Sequence, residues 1–158
     1  MPDAFRLEGR ISVKSGEDSF SGGLFWHHEK ETDVLLLKTP LGQGVAELSS
    51  SGSGVSLKNA EGRQYFAQDA EALLQQAIGM KLPVAGLTWW ALGHPRPGVG
   101  YEGEADAAGY LSSLQQDGWR IEFTRYGREG AFVVPHKLMA RRGEALEIRM
   151  VVDTWEWP

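Results

Sequence analysis

Hydrophobic and polar residues alternate strictly near the start of the chain. Phe5, Leu7, Gly9, Ile11 and Val13 occupy one phase and Arg6, Glu8, Arg10, Ser12 and Lys14 the other. A period of two puts each set on its own face of an extended segment, so the pattern predicts a strand with one dry and one wet side. Residues 15–18 supply a turn, after which Phe20, Gly22, Leu24 and Trp26 resume the same period and complete a hairpin. Thr32–Lys38 reads as a third strand, apolar on both phases through Val34, Leu35, Leu36 and Leu37. Residues 45–49, 55–58 and Gln64–Ala67 are further short strands, separated by Gly and Ser clusters at the spacing of an antiparallel meander.

The period changes at Asp69. Ala70, Leu73, Leu74, Ala77 and Ile78 follow i, i+3, i+4, i+7 and i+8, which predicts an amphipathic helix with Asp69 as its N-cap and Gly79 as its stop. Pro83 suits the first turn of a second, shorter helix that runs through Leu92 and closes at Gly93. Its apolar residues Val84, Leu87, Trp89, Trp90 and Leu92 go nearly all the way round. Prolines and glycines exclude regular structure from residues 93–100. Strand patterns return at 110–114 and 119–123 across an Asp117-Gly118 turn, and at 136–141 and 145–155 across Arg142-Gly143. In the last of these Leu146, Ile148, Met150 and Val152 stand in phase against Glu147, Arg149 and Asp153.

About ten strands, each apolar on one face, must hide one large hydrophobic surface, and two short helices cannot cover it all. Large sheets of this kind curl, so the pattern predicts a barrel with its apolar phases inward and the two helices over its mouth. Two interiors remain open at this point: close-packed side chains, or a cavity with an apolar ligand.

Composition narrows the partners. With 158 residues the chain is sized for one domain, 1–158, and its 20 glycines, well above the ~7% of an average protein, fit many tight turns. The net charge of −5 has no basic run behind it denser than Arg141-Arg142, which excludes a phosphate-backbone footprint and hence nucleic acid. No apolar run approaches the ~18 residues of a membrane helix, and Met1-Pro2-Asp3 has neither the basic region nor the apolar stretch of a signal peptide, so a soluble chain with a native or trimmed start is expected. Absence of cysteine rules out a disulfide framework. His28-Glu29 begins like a zinc-protease helix but lacks the second histidine, and there is no Gly-x-Ser-x-Gly elbow, phosphate-binding Gly-Lys loop or thiol nucleophile. Neither an enzyme nor a cofactor or metal site is expected; His27, His28, His94 and His136 read as surface or loop residues.

Gly22-Gly23-Leu24-Phe25-Trp26-His27-His28, followed by Leu35-Leu36-Leu37-Lys38-Thr39-Pro40-Leu41-Gly42-Gln43-Gly44, resembles the second and third strands and joining loop of the outer-membrane lipoprotein receptor family LolB. The similarity continues through Asp69-Ala70-Glu71-Ala72-Leu73-Leu74, Leu82-Pro83-Val84 with Leu87, Trp90 and Gly93, and Ile148-Arg149-Met150 with Asp153 and Trp155. It covers almost the whole chain in the right order.

The resemblance implies an unclosed antiparallel β-barrel of ten to eleven strands, with a short helical lid over a hydrophobic cavity for lipoprotein acyl chains. It implies a receptor that takes lipoproteins from a periplasmic carrier of the LolA type and inserts them, without catalysis, into the outer membrane from its inner leaflet. Family members are lipid-anchored through an N-terminal cysteine and face the periplasm; this chain has neither that cysteine nor the signal peptide. The expected cavity lining is Leu24, Trp26, Leu36, Ile121, Phe123, Ile148 and Met150 from the sheet, with Leu73, Leu87 and Trp90 from the lid. Pro40, Leu41 and Gly42 would form a protruding membrane-insertion loop, Leu41 at its tip biasing the open mouth toward the bilayer. A soluble periplasmic carrier or lipocalin-like binder of apolar ligands is the alternative; a membrane-spanning barrel would force Arg6, Glu8, Arg10, Glu122, Glu147 and Arg149 into a lumen.

Overall fold

The computed structural model describes residues 2–79 and 81–158, with every side chain among them except those of Ala77 and Ile78. Two of the expected positions on the first helix therefore lie outside the described residues.

The alternating opening segment forms β1 (Ala4–Ser15), paired to β2 (Asp18–Glu29) without interruption from Ala4↔Glu29 to Ser15↔Asp18. The meander continues through β3 (Thr32–Lys38), β4 (Gly44–Ser51), β5 (Gly54–Asn59) and β6 (Gln64–Ala67). After the helical insert come β7 (Tyr101–Ala105), β8 (Leu111–Gln116), β9 (Trp119–Glu129), β10 (Phe132–Arg142) and β11 (Leu146–Glu156). All eleven belong to one antiparallel sheet in the order β6-β5-β4-β3-β2-β1-β11-β10-β9-β8-β7. The last strand thus returns to pair with the first, and β6 and β7 are left as edges, so the barrel is unclosed. Both edges are short, and β7, all five residues of which are exposed, carries Glu102 and Glu104, which discourages edge-to-edge pairing.

The period-two reading held for the faces but not for every strand. β7 escapes the pattern because all five of its residues are exposed and nothing apolar marks a phase. β10 begins at Phe132 rather than at 136, since Pro135, which would argue against a strand, sits where the ladder shifts register between Pro135 and Leu138. Asp117 and Gly118 both take positive φ, 55° and 80°, the geometry that a two-residue hairpin demands.

Two inward positions have no side chain at all. A Cβ on Gly9 would lie 2.0 Å from the Val151 carbonyl oxygen, and one on Gly22 would lie 1.9 Å from the carbonyl oxygen of Lys38. The sheet bends sharply enough there for a neighbouring backbone to occupy the space a side chain would need, and curling depends on both.

The helices cross the inward face. α1 (Ala70–Ile78) is capped by Asp69, which accepts from the Glu71 amide at 3.0 Å, and stopped by Gly79 in the left-handed region, whose amide bonds to Gln75 O. α2 (Val84–Trp90) follows Pro83 as expected but ends two residues short of Leu92, with turns continuing to Gly93. Leu73, Leu74, Leu87 and Trp90 point into one core shared with Phe5, Leu7, Trp26, Leu35, Leu48, Leu57, Ile121 and Ile148.

Gly9→Val and Gly22→Val should each destabilise the fold by more than about 2 kcal/mol, because an overpacked strand must move rather than a side chain. Urea unfolding followed by tryptophan fluorescence checks this, with Gly16→Val, in an open turn, serving as the local-strain reference.

Candidate functional site

Nine of the ten expected lining residues face the interior. Leu24, Trp26, Ile121, Phe123, Ile148 and Met150 come from β2, β9 and β11, and Leu73, Leu87 and Trp90 meet them from the helices; all are buried. Leu36 does not join them. Its neighbours Leu35 and Leu37 take the inward phase of β3, so Leu36 is turned outward, partly exposed, opposite Phe25 and Glu47. An apolar run hides the phase that an alternating strand displays, and the inward members are identified only by their partners, Trp26, Leu24, Leu48 and Ala46.

The interior is filled. The inward side chains form a continuous cluster that the lid completes, and of the nine only Trp90 borders one of the hollows described here. That hollow, about 440 Å³, is a recess at the rim between the lid and the sheet; it is lined by Val84, Ala85, Gly86 and Trp90 on one side and by Asp33, Ser50, Val55 and Asp117 among others on the other. A second rim recess of about 630 Å³ lies along the other flank of α2, between Ala85, Trp89 and Leu92 and the pair His28 and Asp33. Arg96 borders both. Of the two interiors the sequence left open, the described residues form the packed one.

Aromatic side chains floor this core. Trp26 and Trp155 both pack edge-on against Phe5, at 5.7 and 5.5 Å between ring centroids, and Trp157 stacks on Trp155. Each indole N–H of this group has a partner: Trp26 donates to Asp33 at 2.8 Å, Trp155 to Pro135 O and Trp157 to Glu129 O. Asp33 also pairs with His28 Nδ1 at 2.8 Å, which fixes this histidine at the rim of the core. Among the described residues no three acidic or histidine side chains converge to hold a metal.

The lid is fastened by one glutamine. Gln116, at the end of β8, is 3% exposed, and its amide makes four hydrogen bonds. Its Oε1 accepts from Trp90 Nε1–H at 2.9 Å and from the Arg96 amide at 2.8 Å, while Nε2 donates to the carbonyls of Arg96 and Val99. One side chain thereby joins α2, the proline-rich loop and the sheet. Gly86, one turn before Trp90, makes room for the indole, since a Cβ there would lie 2.6 Å from the ring. Nothing in the period of the sequence marks Gln116; its position immediately before the Asp117-Gly118 hairpin turn reads as surface.

Leu41 is 91% exposed on the loop between β3 and β4. Pro40 and Gly42 flank it, Gly42 at φ 87°, and the loop is closed by Gly42 N–H to Thr39 O and Thr39 N–H to Gln43 O. The tip lies at the end of the β3–β4 hairpin marked by Lys38↔Gly44, whereas Asp33 and Ser50, which border the lid, pair at the other. Five residues of extended chain separate the ends, roughly 17 Å. The loop thus protrudes away from the lid rim.

The sequence matches the family model of outer membrane lipoprotein LolB over residues 3–155. The chain belongs to the LolB family. Outer-membrane lipoprotein LolB of Pseudomonas paraeruginosa is 38% identical over 98% of this chain and 75% of its own length, and that of Thiobacillus denitrificans is 38% identical over 99% and 82%. Among solved structures the fold is similar to that of a LolA superfamily protein from Nitrosomonas europaea, at TM-score 0.64 and 6% identity over 99% of this chain and 86% of that one. A DUF1329 family protein from Desulfovibrio piger gives TM-score 0.57 at 7% identity. At such identities the likeness is one of fold, an unclosed barrel with a helical insert. LolB is a non-catalytic family, which disposes of the enzyme reading.

Gln116→Leu keeps the volume but leaves the Trp90 N–H and three backbone groups of the loop without a partner. It should cost about 2–5 kcal/mol in urea unfolding. Amide exchange should accelerate first across residues 84–99, ahead of β1, β2 and β11; uniform acceleration would show that the glutamine does not fasten the lid.

Proposed function

We propose that this domain receives the acyl chains of lipoproteins beneath its helical lid and passes the lipoproteins to the outer membrane. The observation that supports this most directly is the kind of lid it has. The roof of the apolar sheet face is two short helices laid across it, α2 and the loop after it tied to the sheet by side-chain hydrogen bonds to Gln116, so it can lift without breaking the sheet. LolB membership supports the receptor role and the outer-membrane address. A lipid anchor ahead of β1 and a periplasmic orientation complete the proposal.

The energetics favour a lid that opens only for cargo. Exposing Leu73, Leu74 and Leu87 to water would cost about 5–9 kcal/mol, so the empty domain stays shut and packed. Each methylene of an acyl chain gains about 0.8 kcal/mol on leaving water, and three long chains gain tens of kcal/mol, enough to offset the lifted side chains. Leu24, Trp26, Ile121, Phe123, Ile148 and Met150 would then meet acyl chains where they now meet the lid and one another. Handover needs no covalent step, nucleotide or metal; it runs on successive gains in affinity, from a LolA-type carrier to this domain and on to the inner leaflet.

Delivery falls to Leu41. A fully exposed leucine entering an apolar phase gains about 1.5–3 kcal/mol, too little to anchor the protein but enough to bias how it meets a bilayer.

The test is transfer of a radiolabelled lipoprotein from its carrier to this domain in solution, with and without liposomes. The unaltered domain should accept cargo in both settings and release it only to liposomes. Leu41→Glu should accept cargo equally well and fail to deliver it, because the carboxylate would have to be desolvated. Crosslinking that shows Leu41→Glu unable to take cargo from the carrier would place the loop at the carrier interface instead.

A further inference from the structure

Charge on this molecule is unevenly distributed. The outward faces of β1, β11, β10 and β9 carry Arg6, Arg10, Lys14, Arg149, Lys137, Arg141, Arg120, Arg125 and Arg128 against five carboxylates, Glu8, Asp153, Glu147, Glu156 and Glu122. The whole chain has 16 cations and 21 carboxylates, so the remainder holds seven cations against sixteen carboxylates. Strand register is what assembles the basic face, drawing nine cations from positions between 6 and 149.

One row within it runs from the Leu41 loop. Lys38, the residue before that loop, pairs with Gly23, which pairs with Arg10; Arg10 pairs with Val151, Val151 with Lys137, and Lys137 with Arg125. Lys38, Arg10, Lys137 and Arg125 are all exposed, and the strand spacing of about 4.8 Å sets them some 5–10 Å apart. Four of the five carboxylates are engaged by arginines of the same face, Glu156 by Arg6, Asp153 by Arg10, Glu122 by Arg120 and Glu147 by Arg141 and Arg149. Lys14, Lys137 and Arg125 make no ion pair among the described residues.

We propose that this basic face is a docking surface for anionic phospholipid headgroups, and that it orients the domain on the membrane it serves. Three features favour a lipid surface over an acidic protein. Most of the cations spread over the open wall, with Arg120 and Arg141 at its edge bordering a recess of about 790 Å³; the row begins at the base of the exposed Leu41 tip; and the acidic remainder is repelled by a negative bilayer, so the field of the whole chain turns the same face inward. The proposal shares its bilayer with the function proposed above but does not depend on cargo binding.

Flotation of the whole chain with vesicles tests it, comparing phosphatidylcholine alone with phosphatidylcholine containing 30% phosphatidylglycerol, each at 20 and 150 mM salt. Association with the anionic vesicles should exceed that with the neutral ones at least ten-fold at low salt, and should fall as salt rises. Arg125→Glu with Lys137→Glu should remove most of that excess and leave the urea midpoint unchanged. Arg125→Lys with Lys137→Arg should retain it. Lys30→Glu with Lys81→Glu, exposed beside the helices at the other end of the meander and equal in net charge change, should lower it less than two-fold.

Equal binding to both vesicles, or an excess that the two reversals reduce equally, would overturn the proposal. So would normal vesicle binding by Arg125→Glu with Lys137→Glu together with lost crosslinking to the carrier, which would assign the face to an acidic protein. A concentration-dependent dimer abolished by that variant would assign it to a second copy. None of these outcomes bears on whether acyl chains enter beneath the lid, which the cargo-transfer measurement reads separately.

Discussion

A single sheet that is apolar on one face has nowhere to hide that face except in its own curvature, and everything else in this molecule answers to that constraint. Eleven strands curl until β11 lies beside β1, and the bend is tight enough that Gly9 and Gly22 give up their side-chain space to neighbouring carbonyls. Curling does not finish the task. With β6 and β7 unpaired the barrel stays open, and the remaining apolar surface has to be roofed by something other than strands.

The roof differs from the wall in what holds it. Strands are tied to one another by ladders of backbone hydrogen bonds, whereas the helices are held by apolar contact and by the side-chain bonds that converge on Gln116. A buried amide with all four bonds made is stable, but its loss is cooperative, since releasing Trp90 also releases the loop that Arg96 and Val99 anchor. Such an arrangement allows the helices two discrete positions more readily than a continuum, which is what the proposed function needs. A lid ajar would leak water onto the core; a lid welded to the sheet would admit nothing.

How far the sequence disclosed this follows from where periodicity has content. Strands with one wet face, such as β1 and β11, display their inward residues directly, and so do the caps of α1, because Asp69 and Gly79 stand where helix chemistry requires them. Leu36 shows the limit. In Val34-Leu35-Leu36-Leu37 both phases are apolar, and only pairing with β2 and β4 reveals that Leu35 and Leu37 are the inward pair. β7 was invisible for the opposite reason, having no apolar phase at all. Gln116 was missed because its significance is tertiary: a glutamine before a turn is unremarkable until Trp90 and residues 96–99 fold down on it. The family resemblance supplied what periodicity lacked, the unclosed barrel and the exposed loop, yet it did not foretell that the interior would be packed in the closed state.

The distance between Leu41 and the lid bears on how one small domain could serve two partners. On the proposed reading, a tip beside the mouth would bring the bilayer against the rim through which cargo passes. Instead the tip and the two rim recesses belong to opposite ends of the β3–β4 hairpin, and the basic row that starts at Lys38 leads away from the lid across the outer wall. On the proposed reading the domain can therefore keep its tip and outer wall on the membrane while its rim remains free to meet a carrier. Cargo would then be exchanged with the domain already in place, and the lid alone would decide when the acyl chains move.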